Sequence, residues 1–139
     1  MSARFPLDPR LAGDTHDVAA LPFCELLLMD DARYPWLILV PRKADATELI
    51  DLDADEQRQL MTEIDRVARA LRALTSCHKL NVAALGNAVA QLHVHVIARF
   101  RDDAAWPKPV WGVAPARRYE VEALEQLRTA LHAGMFLSA

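Results

Sequence analysis

The order of hydrophobic patterns predicts an α+β fold, an antiparallel sheet with helices packed on one face. Three observations carry this. Two short apolar runs, residues 23–29 and 36–40, flank a polar turn. A long helical stripe follows from Asp53 to Leu74. Two further strand-like segments, residues 79–85 and 89–100, then precede a last helical stripe that begins at Val121. Strand, strand, helix, strand, strand, helix with links this short favours antiparallel pairing and gathers the helices on one side of the sheet.

Each element has its own justification. Residues 23–29 are almost continuously apolar, broken only by Glu25, and Asp30-Asp31-Ala32-Arg33 makes a turn before Pro35 opens the second run, so the pair reads as a hairpin. Residues 44–52 are polar, with room for one short helical turn. Asp53 and Glu56 have capping-box spacing, and acids in a first turn favour the helix dipole. Leu60, Ile64, Val67, Leu71 and Leu74 then recur at helical intervals, with Glu63 and the arginines mostly off that stripe, and Thr75-Ser76 marks the exit. Gly86-Asn87 connects the third and fourth strands. Residues 102–116 carry three prolines and Gly112 and read as an ordered arm anchored by Trp106 and Trp111. Val121, Leu124, Leu127 and Leu131 define the final helix, with Gly134 placed to end it.

At 139 residues the chain suits one domain over 1–139, with a core at about 20–101 and a C-terminal arm and helix over 102–139. A net charge of -3 provides no basic field to gather nucleic acid or anionic membrane. An anionic ligand therefore needs local cations, and Arg42/Lys43, Arg99/Arg101 and Arg117/Arg118 are the local basic pairs. The two cysteines, Cys24 and Cys77, are far apart and form neither a disulfide framework nor a Cys-based zinc pattern; Cys24 reads as a buried small residue. Residues 1–20 lack the long apolar core of a signal peptide, and no segment has the length of a membrane span, so a cytoplasmic location is expected.

The chemistry concentrates in Gln91-Leu92-His93-Val94-His95-Val96-Ile97. On a strand, side chains alternate between faces, which puts Gln91, His93, His95 and Arg99 on one face and Leu92, Val94, Val96, Ala98 and Phe100 in a core behind them. That polar face is expected to be the one left open by the helices. Two such histidines sit about 6.5–7 Å apart at their backbones and can converge on one phosphate or one metal ion. Three explanations fit the pattern. The imidazoles can fill a polar patch. They can present two nitrogens to zinc, with His16, His78 or His132 as a third ligand, though none has a diagnostic spacing. Or one can act as a nucleophile at phosphorus, since a neutral imidazole is available at physiological pH and a covalent phosphoryl intermediate divides one slow displacement into two. Spacing alone does not choose among them.

Lys79-Leu80-Asn81-Val82-Ala83-Ala84-Leu85-Gly86-Asn87 followed by Gln91-Leu92-His93-Val94-His95-Val96-Ile97-Ala98-Arg99 resembles the histidine triad (HIT) superfamily, whose signature alternates three histidines with apolar residues. Leu26 to Asp30 and Trp36-Leu37-Ile38-Leu39-Val40-Pro41-Arg42 resemble that family's N-terminal hairpin, and Trp106-Pro107-Lys108-Pro109-Val110-Trp111-Gly112 resembles a bacterial branch. The resemblance implies a HIT-like fold and a nucleotide-binding hydrolase or nucleotidyl transferase acting on the α-phosphate of a small nucleotide, such as a dinucleoside polyphosphate or a phosphoramidate. It implies that His93 is the nucleophile and that His95 contacts the phosphate oxygens. It also places Asn87 at the phosphate and Asp30, or less directly Asp31, on the ribose hydroxyls. Asn81 and Arg99 join the candidate substrate-binding set, Gln91 the catalytic one. The same resemblance implies a homodimer; no metal or cofactor is called for.

The chain departs from the family pattern in three places. Gln91 replaces the first histidine and can donate a hydrogen bond but cannot deliver a proton at neutral pH. Pro35-Trp36 stands where a second-strand histidine is common, so a partner behind the triad is expected to be missing. The loop at Gly86-Asn87 is short. These changes leave a second outcome open, a nucleotide-binding protein with weak or no catalysis; a zinc-dependent hydrolase, suggested by the paired histidines, ranks third.

Overall fold

The computed structural model describes residues 5–113 and 115–137. Five strands, β1 (Thr15–Ala20), β2 (Cys24–Met29), β3 (Trp36–Pro41), β4 (Lys79–Ala83) and β5 (Val94–Arg99), form one antiparallel sheet in the order β1-β2-β3-β5-β4. Helices α1 (Pro9–Asp14), α2 (Ala54–Thr75) and α3 (Val121–Leu137) and a 3-10 turn at Leu49–Asp51 complete the α+β fold. The sequence pattern predicts β2 and β3 closely and overlooks α1 and β1. Thr15–Ala20 lies at a sheet edge, where one neighbour suffices and little apolar alternation is required. The short α1 has a local signal in Asp8-Pro9: Asp8 caps it, its Oδ1 accepting from the Arg10 N–H at 2.8 Å.

The long helix α2 begins where its capping box requires. Asp53 accepts from the Glu56 N–H and Glu56 accepts from the Asp53 N–H, both at 2.8 Å. It ends at Ser76, which adopts the left-handed conformation at φ 53°. Leu60, Ile64, Val67 and Leu71 are buried against Leu26, Leu28, Leu37, Leu39, Val94, Val96 and Ala98 of the sheet. Glu63 departs from the expected exposed face. It is buried, and its carboxylate accepts from the Phe23 and Cys24 backbone N–H groups at the start of β2 and from the Gln59 amide. Gly134 does not end α3, which continues to Leu137; it lies where α3 meets Ala70 of α2.

The opposite face of the sheet is not left open. A second cluster there joins Leu27, Trp36, Ile38, Val40 and Ile97 to Leu11 of α1 and to Ala105 and Val110 of the C-terminal arm, with Phe5, Leu7 and Trp111 packed against it. Strands β4 and β5 are also shorter than expected. The last ladder partners of β5 are Leu39 for Val94 and Ala83 for His95, so residues 91–93 lie beyond the paired region. There the Leu92 N–H bonds instead to the Ala46 carbonyl at 2.9 Å. No helix among the described residues is long and apolar enough to cross a membrane.

Candidate functional site

Alternation along β5 sends Val94, Val96 and Ala98 toward the helices and His95, Ile97 and Arg99 toward the other face. His93, just ahead of the strand, brings its ring to 4.8 Å from that of His95 in an edge-on arrangement. Both are buried, at 7% and 4% exposure. From β3, the Trp36 indole Nε1–H donates to His95 Nδ1 at 2.9 Å. A partner behind the histidines is thus present, as an indole from the position where a missing one was expected. Trp111 of the C-terminal arm stands edge-on to both rings, 5.0 Å from His95 and 5.8 Å from Trp36.

His93 Nδ1 lies 2.7 Å from the Gln91 carbonyl oxygen. A carbonyl only accepts, so Nδ1 carries the proton and Nε2 is the nitrogen with a free lone pair in the neutral ring. Burial, helped by the neighbouring His93, lowers the His95 pKa to about 4, leaving that ring neutral at physiological pH. The Gln91 side chain has a role not foreseen. Its Oε1 accepts from the Asp8 N–H at 2.7 Å and its Nε2 donates to the Pro6 carbonyl at 2.9 Å. The amide thus ties down the N-terminal segment at the edge of the site.

Two cavities adjoin these rings. His93 and Gln91 line one of about 240 Å³, together with Glu48, Leu49, Leu85 and Gly86. Gly86, at φ 78°, makes a turn that a side chain would strain. Asn87 follows it and is exposed. Trp36 and Trp111 line the other, of about 360 Å³, with Asp30, Asp31, Arg33 and Arg118. The two Asp30 carboxylate oxygens already accept from the Tyr119 backbone N–H at 2.9 Å and the Arg118 guanidinium at 2.8 Å, and His16 lies 3.3 Å away. Burial works against ionisation of Asp30, but these donors outweigh it and hold the carboxyl below its ordinary value. Asp31 is almost completely buried and paired with Arg33, with the same outcome.

Arg99 and Asn81 lie outside this constellation. Arg99 is 1% exposed, donates to both Asp103 oxygens at 2.7 and 3.0 Å, and reaches Asn81 Oδ1 and the Lys108 carbonyl, both at 2.8 Å. With its guanidinium also facing the Trp106 ring at 5.5 Å, it fastens the C-terminal arm to the sheet. The expectation that Arg99 and Asn81 would meet a substrate is therefore replaced by a structural role. Among the described residues no group of three His, Cys, Asp or Glu side chains converges as a metal site. His16 pairs with Asp30, His78 packs on Trp106, and His132 lies on α3. Sequence reasoning missed Trp36 and residues 6–8 as site components and read Trp111 chiefly as an anchor of the arm. Only the odd Trp36 hinted at the first, because which residue faces His95 depends on strand register.

The family model described as HIT domain matches residues 13–102. Among solved structures, the histidine triad protein of Bradyrhizobium japonicum is 52% identical, covering 95% of this chain and 98% of that one, with a TM-score of 0.93. That of Sinorhizobium meliloti is 42% identical over 94% and 96%, with a TM-score of 0.91. That of Marinobacter aquaeolei is 39% identical over 99% and 100%, with a TM-score of 0.93. A search of curated proteins found no match.

Proposed function

The chain belongs to the HIT family, and from that premise we propose that it is a nucleotide hydrolase or nucleotidyl transferase with His93 as nucleophile. The observation that carries this reading is the 2.7 Å contact from His93 Nδ1 to the Gln91 carbonyl. It assigns the proton to Nδ1 and leaves Nε2 to attack, on a ring bordering a cavity. His93 Nε2 adds to the α-phosphorus of a small nucleotide as the bond to the leaving group breaks. The nucleotidyl group then passes to water or another acceptor, and the P–N electron pair returns to the ring. His95 steadies the nonbridging oxygens, Asp30 takes the ribose hydroxyls in exchange for the exposed Arg118, and Asn87 approaches the phosphate.

The test is to incubate the protein with an adenine dinucleotide polyphosphate, follow AMP release, and trap an adenylyl group on His93 by acid quench and mass spectrometry. Turnover that survives a chelator and is lost in His93→Ala supports the covalent route. Loss of activity with the chelator favours the zinc alternative. Binding without turnover by the wild type favours the second reading, a nucleotide-binding protein without useful catalysis, which the commitment of Gln91 to residues 6–8 supports.

A homodimer belongs to the same proposal. β4 is a terminal strand of the sheet, and exposed Val82, Ile50, Met61 and Leu85 give its surroundings an apolar character that pairing with a second copy would bury. Light scattering on the wild type and on Val82→Lys tests it: a mass of two chains reduced to one supports the dimer, and a wild-type monomer removes it. The cytoplasmic location is proposed with it.

A further inference from the structure

We propose that this site takes nucleotides whose leaving group departs as a weakly basic anion, such as phosphate, polyphosphate or phenolate, and discriminates against amine and alkoxide leaving groups, with Trp36 as the positioning residue behind that choice. The inference rests on the nucleophilic role proposed for His93.

Nucleophilic attack by His93 Nε2 expels the leaving group with the electron pair of its bond to phosphorus. A phosphate or phenolate oxygen carries that pair without help. An amine or alkoxide must gain a proton as the bond breaks, so its departure requires a neighbouring acid. His93 keeps its Nδ1–H on the Gln91 carbonyl. Gln91 is an amide held by Pro6 and Asp8 and has no acidic proton.

His95 is the remaining imidazole, and Trp36 decides its state. An indole N–H is only a donor, so His95 Nδ1, 2.9 Å from it, must be an acceptor with a lone pair. The ring's one proton is then on Nε2. A second proton on Nδ1 would set two N–H groups against each other in a buried site. Burial acts in the same direction and lowers the pKa to about 4. His95 therefore offers a hydrogen bond to a phosphate oxygen but has no spare proton to release. Trp111, packed on both rings, restrains them from turning away. Asp30 and Asp31, in the neighbouring cavity, are held as carboxylates by their own donors.

Two measurements on the full chain test this. The first compares kcat/KM for adenosine 5′-phosphate carrying p-nitrophenolate, phosphate or a simple alkylamine as leaving group. The anionic groups are expected to be favoured by about 10²–10⁴-fold, the usual worth of a general acid. Cleavage of the amine within tenfold of the others overturns the inference, with Glu48, in the cavity of His93, as the first candidate for the acid. Cleavage of none of the three is the different result that removes the parent proposal. The second measurement is ¹⁵N NMR of the His95 ring, which requires no turnover. A single Nε2–H tautomer in the wild type, becoming a mixture in Trp36→Phe and restored in Trp36→His, supports the positioning role. A wild-type ring with its proton on Nδ1 overturns it even if Trp36→Phe fails to fold.

Discussion

The two ends of one strand's non-helical face have been put to opposite uses. At the Arg99 end, a fully buried guanidinium is enclosed by Asp103, Asn81 and a carbonyl, and its hydrogen bonds join the arm to β4. At the His93 end, six residues earlier and just ahead of the strand, the ring keeps one nitrogen unengaged beside a cavity. Both ends carry buried ionisable side chains on the same face. What separates them is whether the surroundings complete the hydrogen bonding. Dense hydrogen bonding fixes Arg99 in a structural role, and an unengaged ring nitrogen is what the role proposed for His93 requires.

Breaking the saturated end should have the largest effect. Arg99→Met leaves Asp103 charged and unpaired in a buried position and is expected to cost about 3–5 kcal/mol in urea unfolding. Adding Asp103→Leu should recover much of that loss. A cost below about 1 kcal/mol for the single variant would mean that the pair is not structurally important.

Acid titration should then distinguish the ends by pH window. His95 has a depressed pKa, about 4 against an ordinary 6.5. The unfolded chain therefore binds a proton first as pH falls. The contribution of the neutral ring is fully present above pH 6.5 and is lost on going down toward 4, up to about 3 kcal/mol. Burial opposes ionisation of Asp103, but Arg99 and the Phe100 and Trp106 N–H groups hold it at about 2 against 3.8, so its contribution disappears only in that lower window. His95→Gln should flatten the upper window and leave the lower one. An unchanged slope between pH 6.5 and 4 would deny His95 its depressed pKa.

A smaller effect is expected at the clamp. Gln91→Leu removes two hydrogen bonds to a half-exposed segment and should cost about 1–2 kcal/mol, with faster hydrogen exchange at the Asp8 amide. Unaltered exchange there would mean that residues 6–8 are held by their apolar packing. Gln91→His, which restores an acid at the cost of this clamp, should speed poor leaving groups more than good ones; equal gains would show that protonation is not limiting. The smallest change in stability is expected for His93→Gln, which gives up the hydrogen bond to the Gln91 carbonyl at about 0.5–1.5 kcal/mol, alongside lost turnover. A large destabilisation would place His93 with Arg99 as a structural residue.

Local pattern made much of this legible. The alternation of residues 92–100 correctly separates the helix-facing side chains from those of the other face, though it does not show that this other face is covered too, and Asp53 with Glu56 marks the start of α2. The same alternation cannot distinguish His93 from Arg99, because the fate of Arg99 depends on Asp103 in a following turn and on Asn81 across the sheet. Gln91 illustrates a different limit. Its partners, Pro6 and Asp8, lie more than 80 positions away, in a segment without periodicity. β1 is weakly patterned because an edge strand has only one neighbour to satisfy.

By itself the sequence determined the capping box of α2, the parity of β5 and the grouping of two imidazoles on one face, since these follow from backbone geometry over two to four residues. Tertiary structure alone decided that Trp36 meets His95, that Gln91 grips the N-terminal segment and that Arg99 is sealed from solvent. Each of those pairings requires distant segments to meet at a particular strand register, and no short-range periodicity encodes that register.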